Sequence, residues 1–458
     1  YSTSGIVTQV GKNVNGFQVG DRVACAGANI ANHAEVISVP ANLAVKVPDL
    51  VSLKDAAYTT IASIAMQGVR QADLRLGESC AIIGLGLLGQ LTNQLLKASG
   101  IKVAGIDINK DMVSLAKKSG IEMALSRDNG ELEEVILNMS NGFGVDSVII
   151  TAATSSNDPV ELAGKICRQK GKVIIVGDCP TGFGRETYYK KELELKMSMS
   201  YGPGRYDPAY EVKGLDYPIG YVRWTENRNM QAFIDLLANK KIDISLLTTH
   251  TFDFKDALQA YQIIMENFQH YAGILLRYDI KKAIKKTICF KTNSKKQNES
   301  TKDQSLVPKI SFIGAGSFAQ SSILPFVKNY PLVTVATSQG HTSKNIARKW
   351  KFNTATCDSD EVIKDDSNTL FITTRHNIHA QYVIKGLKAG KNIFVEKPLC
   401  LSEYELETIA DIYKEKSNKQ DIKLMVGFNR RFAPLTQKLR NTFLSGQPKA
   451  INYRINSG

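Results

Sequence analysis

Ser79-Cys-Ala-Ile-Ile-Gly84-Leu-Gly86-Leu-Leu-Gly89-Gln-Leu-Thr-Asn-Gln-Leu-Leu-Lys-Ala-Ser-Gly100-Ile-Lys-Val-Ala-Gly-Ile-Asp107 decides how this chain folds. Residues 79–83 form a short apolar run ending in glycine, which reads as a buried strand. Residues 87–99 have helical character and stop at Gly100, a residue suited to the position just past a helix. Residues 101–106 read as the next strand. In such a unit Gly84 permits a tight turn, Gly86 lets backbone approach a pyrophosphate, and Gly89 allows close helix–strand packing. The helix N-terminus then faces the phosphates. Asp107 lies 23 positions after Gly84, where a carboxylate accepts hydrogen bonds from ribose hydroxyls and repels a 2′-phosphate. NAD is therefore expected at this first site.

The same logic recurs in Lys309-Ile-Ser-Phe-Ile-Gly314-Ala-Gly316-Ser-Phe-Ala319, with Ala319 in the place of the third glycine. The following strand, 333–338, ends at Thr337 and Ser338 with no carboxylate, and His341, Lys344 and Arg348 follow. A 2′-phosphate would meet no repulsion, so NAD or NADP is expected at the second site. The fold class is α/β, with two Rossmann-type doubly wound parallel sheets.

The bulk properties set the frame. A chain of 458 residues is long enough for two to four domains. Hydrophobic content of 43% with 22% charged residues is ordinary for soluble protein. No apolar run approaches the roughly 18 residues of a membrane span. The net charge of +14 invites a nucleic-acid reading, but residues 281–303 alone hold eight lysines against Glu299 and Asp303. That polar stretch reads as a solvated linker over 281–307, with no nucleic-acid motif beside it. Seven dispersed cysteines without a C-x-x-C pair argue against disulfides and structural zinc. A cytoplasmic location is expected. Residue 1 is Tyr, so the chain reads as a fragment.

Residues 1–280 resemble the medium-chain dehydrogenase/reductase family. The match runs from Gly5-Ile-Val through Val19-Gly-Asp-Arg-Val, the first fingerprint, Asp146-Ser-Val-Ile-Ile-Thr151, Gly171–Gly177 and Leu246–Leu276. The resemblance implies a barrel-like, GroES-like catalytic domain from residues 1–51 plus 246–280, around a Rossmann domain of 52–245. Strands are expected at 5–10, 16–24 and 34–40, and a helix over 53–71. It also implies that Thr151 and Gly177 line the nicotinamide pocket. Zinc-dependent members carry Gly-His-Glu before the Gly-Ile-Val strand. Here Tyr1 and Ser2 hold the His and Glu places, and the later ligand position near Tyr58 to Thr60 has no Cys, His or carboxylate. A zinc site needs three protein ligands, so no metal is expected, with His33 the remaining alternative ligand. An aromatic segment, Ser200-Tyr-Gly-Pro-Gly-Arg-Tyr-Asp-Pro continuing through Tyr217 to Glu226, stands out. Tyr201, Arg205 and Arg223 are its candidates for substrate contact, with a purely structural loop or a dimer contact as the alternative.

Residues 308–458 resemble the glucose–fructose oxidoreductase/inositol dehydrogenase (Gfo/Idh/MocA) family. The carriers are Phe371-Ile-Thr-Thr374-Arg-His-Asn-Ile-His379, then Asn392-Ile-Phe-Val-Glu396-Lys397-Pro398, then Met425-Val-Gly-Phe-Asn-Arg430. The resemblance implies cofactor contacts from Thr374, His379, Glu396, Lys397 and Pro398. Lys397 would be the catalytic group, orienting the carbinol and stabilising its developing charge. Arg430 is a substrate candidate. Arg375 departs from the family's usual Pro. A second Rossmann domain over 308–425 and the start of a C-terminal sheet domain at 426–458 are expected. The family's acid/base Asp and His would lie beyond Gly458.

Together these readings predict a bidomain NAD(P)-dependent oxidoreductase that moves a hydride to or from a carbinol of a polyol, sugar or nucleotide sugar. The setting would be sugar or surface-polysaccharide metabolism. The expected partners are a small-molecule substrate and further copies of the chain, without nucleic acid or membrane. The alternative is a nucleotide-binding scaffold with inactive sites.

Overall fold

The alternation of short β-branched runs with amphipathic segments produces two compact units in a computed structural model, residues 1–281 and 282–458. The structure describes residues 2–121, 123–283, 285–290 and 307–443. Tyr1, most of the lysine-rich stretch and residues 444–458 lie outside the described residues.

The first unit opens with an antiparallel sheet of β1 (Thr3–Ile6), β2 (Arg22–Cys25) and β3 (Ala44–Lys46). The strand expected at 34–40 is absent: both edges of β2 are taken by β1 and β3, which leaves those residues no ladder. The helix expected over 53–71 is two helices, Leu53–Ala56 and Thr59–Ala72. The chain turns between them to bury Tyr58, whose hydroxyl meets Thr248 Oγ1 at 2.8 Å.

Six parallel strands follow: β4 (Ser79–Ile83), β5 (Lys102–Asp107), β6 (Met123–Ser126), β7 (Val145–Ile150), β8 (Cys167–Ile175) and β9 (Glu194–Met197). Their spatial order is β6-β5-β4-β7-β8-β9, so the chain reverses direction of travel between β4 and β7. Ligands bind outside the carboxyl ends of strands at such a switch point. The central strand β4 is buried at every residue, as expected where helices cover both faces of a parallel sheet. A parallel pair, β10 (Thr248–Asp253) and β11 (Gly273–Arg277), completes this unit.

The second unit repeats the plan. Its sheet runs β12-β15-β14-β13-β16-β17-β18, from β12 (Thr287–Cys289), β13 (Ile310–Ile313), β14 (Leu332–Ala336), β15 (Thr354–Thr356), β16 (Thr369–Ile372), β17 (Asn392–Glu396) and β18 (Leu424–Gly427). Two expectations are corrected here. Residues 287–289, read as linker, form an antiparallel edge strand on β15, because the local sequence Thr-Ile-Cys is β-favouring despite its lysine neighbours. Residues 426 and 427, read as the start of a C-terminal sheet domain, belong with 424 and 425 to a strand that pairs in parallel with β17, with Val395 opposite Val426, and so extend the Rossmann sheet.

Under this sheet Lys391 is almost fully buried, with Nζ 2.8 Å from Asp365 Oδ1 and 2.7 Å from the Ser367 carbonyl. Asp365 also accepts from Ser311 Oγ at 2.6 Å, which ties the starts of β13 and β17 together. Among the described residues no helix is long and apolar enough to cross a membrane. Breaking a buried pair strands the remaining charge at a cost of about 3–5 kcal/mol. Urea unfolding of the full chain should therefore show Lys391→Ala lowering the stability of the second unit by about that amount.

Candidate nucleotide sites and the comparisons that place them

Each sheet presents one glycine turn at its switch point, and the two turns share a construction. Gly84 has φ +100° and its amide donates to the Ile106 carbonyl at 2.8 Å; Gly314 has φ +83° and donates to Ala336 at 2.9 Å. A Cβ on Gly84 would lie 2.6 Å from the Ala152 nitrogen, and one on Gly314 would lie 2.7 Å from the Thr373 oxygen. Both positions thus need glycine for backbone conformation and for space.

Gly86 and Gly316 differ from their neighbours. Each sits at a helix N-cap with ψ −173°, and nothing lies within 4 Å of where a Cβ would stand. The open space lies where amide groups of the helix start are unpaired, as a pyrophosphate requires. Gly89 is the packing glycine: a Cβ there would fall 1.9 Å from the Gly84 carbonyl oxygen. Ala319 tolerates its methyl and is buried. The helices diverge in length. Leu87–Ala98 is continuous, whereas Ser317–Ser322 breaks at Ile323, ahead of Pro325, which cannot continue a helix.

Two side-chain bonds in each turn were not foreseen from the sequence, although Thr151 itself was a candidate. Thr151 Oγ1 donates to the Gly84 carbonyl at 2.6 Å, and Thr373 Oγ1 donates to Gly314 at 2.8 Å. Gln90 Nε2 donates to Leu85 at 2.9 Å, and Gln320 Nε2 to Ala315 at 3.1 Å. The repeated Gln directly after Gly89 and after Ala319 was the available signal. Gly177 packs against the same crossing, where a Cβ would be 2.1 Å from the Ala152 oxygen.

The strand ends beside the turns differ in charge. Asp107 accepts from the Leu85 amide at 2.5 Å and from the Asn109 amide at 2.7 Å, so its carboxylate is fixed at the mouth of the turn. At the matching place Thr337 donates to the Gln339 carbonyl at 2.8 Å.

In the second unit the sequence candidates gather at the ends of β16 and β17. His379 is fully buried, with Nδ1 2.7 Å from the Pro398 carbonyl and Nε2 3.1 Å from the Thr374 carbonyl. It joins the two loops as a strut and has no exposed atom to offer a ligand. The Lys397–Pro398 bond is cis. Glu396 accepts from the Lys397 amide at 3.3 Å and leans on Gly427, where a Cβ would lie 2.7 Å from Oε1. Lys397 is exposed at the strand end. Arg430 is exposed in the turn 429–432, without a described contact to that cluster.

The aromatic segment needs correction. Arg205, expected to present a free fork, is mostly buried and paired with Glu211 at 2.6 Å. Tyr201 is likewise buried, packed against the β2–β3 core. Arg223 is exposed over the Trp224 ring. Sequence reasoning missed Glu226, which is fully buried with both carboxylate oxygens lacking a partner. Burial, then repulsion from Glu211, pushes Glu226 up to about 8 against the pull of Arg205.

Residues 309–428 match the model of the oxidoreductase family with an NAD-binding Rossmann fold, Gfo/Idh/MocA, and residues 88–212 match the zinc-binding dehydrogenase model. The chain is a fusion of these two kinds of oxidoreductase module. Among curated relatives it is 26% identical over 298 residues to probable D-xylulose reductase A of Aspergillus fumigatus, covering 57% of this chain and 75% of the relative. It is 25% identical over 302 residues to D-xylulose reductase of Scheffersomyces stipitis, covering 58% and 78%. The alcohol dehydrogenase TADH from Thermus sp. ATN1 shares the fold of the first unit, with a TM-score of 0.51 at 20% identity, over 60% of this chain and 82% of that one. The fusion binds NAD(P) and acts on CH–OH groups.

Zinc-type relatives make the metal position worth testing. Ser2 Oγ accepts from the Thr60 amide at 3.0 Å, and the Thr60 hydroxyl donates to the Cys25 carbonyl at 3.3 Å. Of the matched places, Ser2 and Thr60 meet through the Thr60 backbone amide, and Tyr1, in the His place, lies outside the described residues. Burial pushes the Cys25 thiol up to about 12, which disfavours the thiolate that zinc binds. His33 meets Tyr261 edge-on. Among the described residues no three His, Cys, Asp or Glu are grouped to hold a metal, so the described donors do not fit zinc.

Glu226 supplies a stability test. Its folded form holds a proton that the unfolded chain releases above the ordinary carboxylate range, so stability is lost as pH rises from about 4.5 to about 8. Glu226→Gln should flatten that loss, by a few kcal/mol at most, in denaturant midpoints measured at pH 5 and pH 8. An unchanged pH slope would refute the assignment.

Proposed function

We propose that the fused chain is an NAD(P)-dependent dehydrogenase for a polyol or sugar carbinol, nucleotide-linked sugars included. We assign NAD to the first module, which works without zinc, and NAD or NADP to the second. The observation that carries this reading is the duplicated turn, with a left-handed glycine at the strand end and an open N-cap glycine before the helix. The D-xylulose reductase relatives support the polyol class.

A bound nicotinamide supplies the hydride acceptor or donor. The chain's own residues do the rest. In oxidation the carbinol carbon loses a hydride and its oxygen a proton, leaving a carbonyl. Lys397, exposed at the end of β17, is assigned to hold that oxygen by a charge-assisted hydrogen bond, which strengthens as negative charge develops. Glu396 and the His379 strut fix the loop that carries Lys397, and so act as positioning residues. Asp107 takes the ribose hydroxyls at the first site.

A second reading, nucleotide binding without turnover in the first module, is favoured by the side chains of Ser2 and Thr60, which bring hydroxyls and no zinc-ligand type to that place. Activity over a panel of polyols and sugars separates the two. Asp107→Ser should weaken NADH binding by about tenfold, or ~1.4 kcal/mol, and leave NADPH binding unchanged or improved. Lys397→Met should lower kcat by about a hundredfold or more while nicotinamide affinity stays near wild type. If fluorescence titration finds no nicotinamide bound, both readings fail.

A further inference from the structure

Four arginines surround the loop that leaves β9 and the helix Glu226–Ala238, and they divide into two kinds. Arg205 is paired with Glu211 at 2.6 Å, and Arg228 with Asp216 at 2.5 Å. Arg70 and Arg223 have no such partner: among the described residues neither lies within 4 Å of a carboxylate oxygen. Both stack instead on Trp224, with their guanidinium carbons 3.3 and 3.8 Å from its ring centroid.

This arrangement is held in place. Arg70 Nε donates to Asn229 Oδ1 at 2.7 Å, and the buried Asn229 amide donates to the Tyr201 carbonyl at 3.0 Å. Gly202 makes room for that brace, since a Cβ there would sit 2.7 Å from Asn229 Nδ2. Burial, reinforced by the charge of Arg223, pulls Arg70 down to about 10. A guanidinium rarely shifts so far. Arg70 is a half-buried cation with no carboxylate within 4 Å among the described residues.

The chemistry of the missing partner follows from charge and shape. A phosphate monoester carries −1.5 to −2 at neutral pH, by the general rule for such groups, which offsets two cations; a carboxylate would leave one uncompensated. Planar guanidinium forks match phosphate oxygens in pairs. Two cations beside one ring, neither paired with a carboxylate among the described residues, put recognition on the phosphate. We propose that Arg70 and Arg223, both stacked on Trp224, form a binding site for the phosphate monoester of a small metabolite.

The chain has two tryptophans, so the full-length Trp350→Phe variant leaves Trp224 as the single reporter. Its emission would be titrated at constant ionic strength with D-glucitol 6-phosphate, AMP, inorganic phosphate and D-glucitol. The expected result is a saturable change with at least one ester, none with D-glucitol, and affinity weakened about tenfold or more by Arg223→Gln. Arg70→Lys keeps the charge but removes the fork, and should weaken binding comparably. Tighter binding of D-glucitol 6-phosphate than of AMP identifies a sugar as the carrier, and the reverse order a nucleotide; either supports the site. Because Arg223 is exposed, its substitution leaves the fold intact. Unchanged affinity in Arg223→Gln, or inorganic phosphate binding as tightly as both esters, would overturn the proposal.

Discussion

The interaction on which both nucleotide sites depend is a threonine hydroxyl holding a glycine carbonyl. Gly84 and Gly314 turn the chain through a left-handed conformation at the end of the central strand. That turn would be a loose hinge if its carbonyl were left to solvent. Thr151 and Thr373, each at the end of the neighbouring strand across the switch point, donate to that carbonyl and fix its orientation. With the carbonyl fixed, the next amides point into the crevice and the helix starts in one direction. Gly89 can then pack against the same carbonyl at a distance that no side chain would allow. The cradle is thus built by two strands, and neither strand alone specifies it.

This explains what could and could not be read in advance. The strands at 79–83 and 102–107, the helix at 87–98 and the glycine roles follow from local pattern, and the structure places them within a residue or two. Local pattern failed where pairing partners decide the outcome. Residues 34–40 alternate well enough for a strand but find no free edge, whereas residues 287–289 sit among lysines yet find one on β15. Thr151 was read as a wall of the nicotinamide pocket, and its bond to Gly84 was invisible because the two are far apart in sequence. Arg205 looked like a fork awaiting a ligand. Its partner Glu211 is only six residues away, but the intervening loop geometry that joins them has no signature in composition.

The two modules divide the chemistry unevenly. The first fixes a carboxylate at the mouth of its turn and holds Ser2 against the Thr60 backbone amide. The second presents an ammonium group at a strand end, on a loop propped from beneath by a buried imidazole. A strut of this kind matters for placement, because hydride transfer tolerates little positional error. Two cradles of one design can therefore serve different ends, set by the residues that surround them and not by the glycines they share.

The short strand β12 has a consequence for solubility. A parallel sheet ending at β15 would present a row of unsatisfied amides and carbonyls, a template for a stranger's strand. Residues 287–289 occupy that row in antiparallel register, and the residues just before them are lysines 285 and 286. Charged flanks discourage any further strand from docking on the new rim. Lys285 and Lys286, from the basic run that first suggested nucleic acid, thus act on this sheet as a selvedge, a finished border that keeps the fabric from joining to its neighbours.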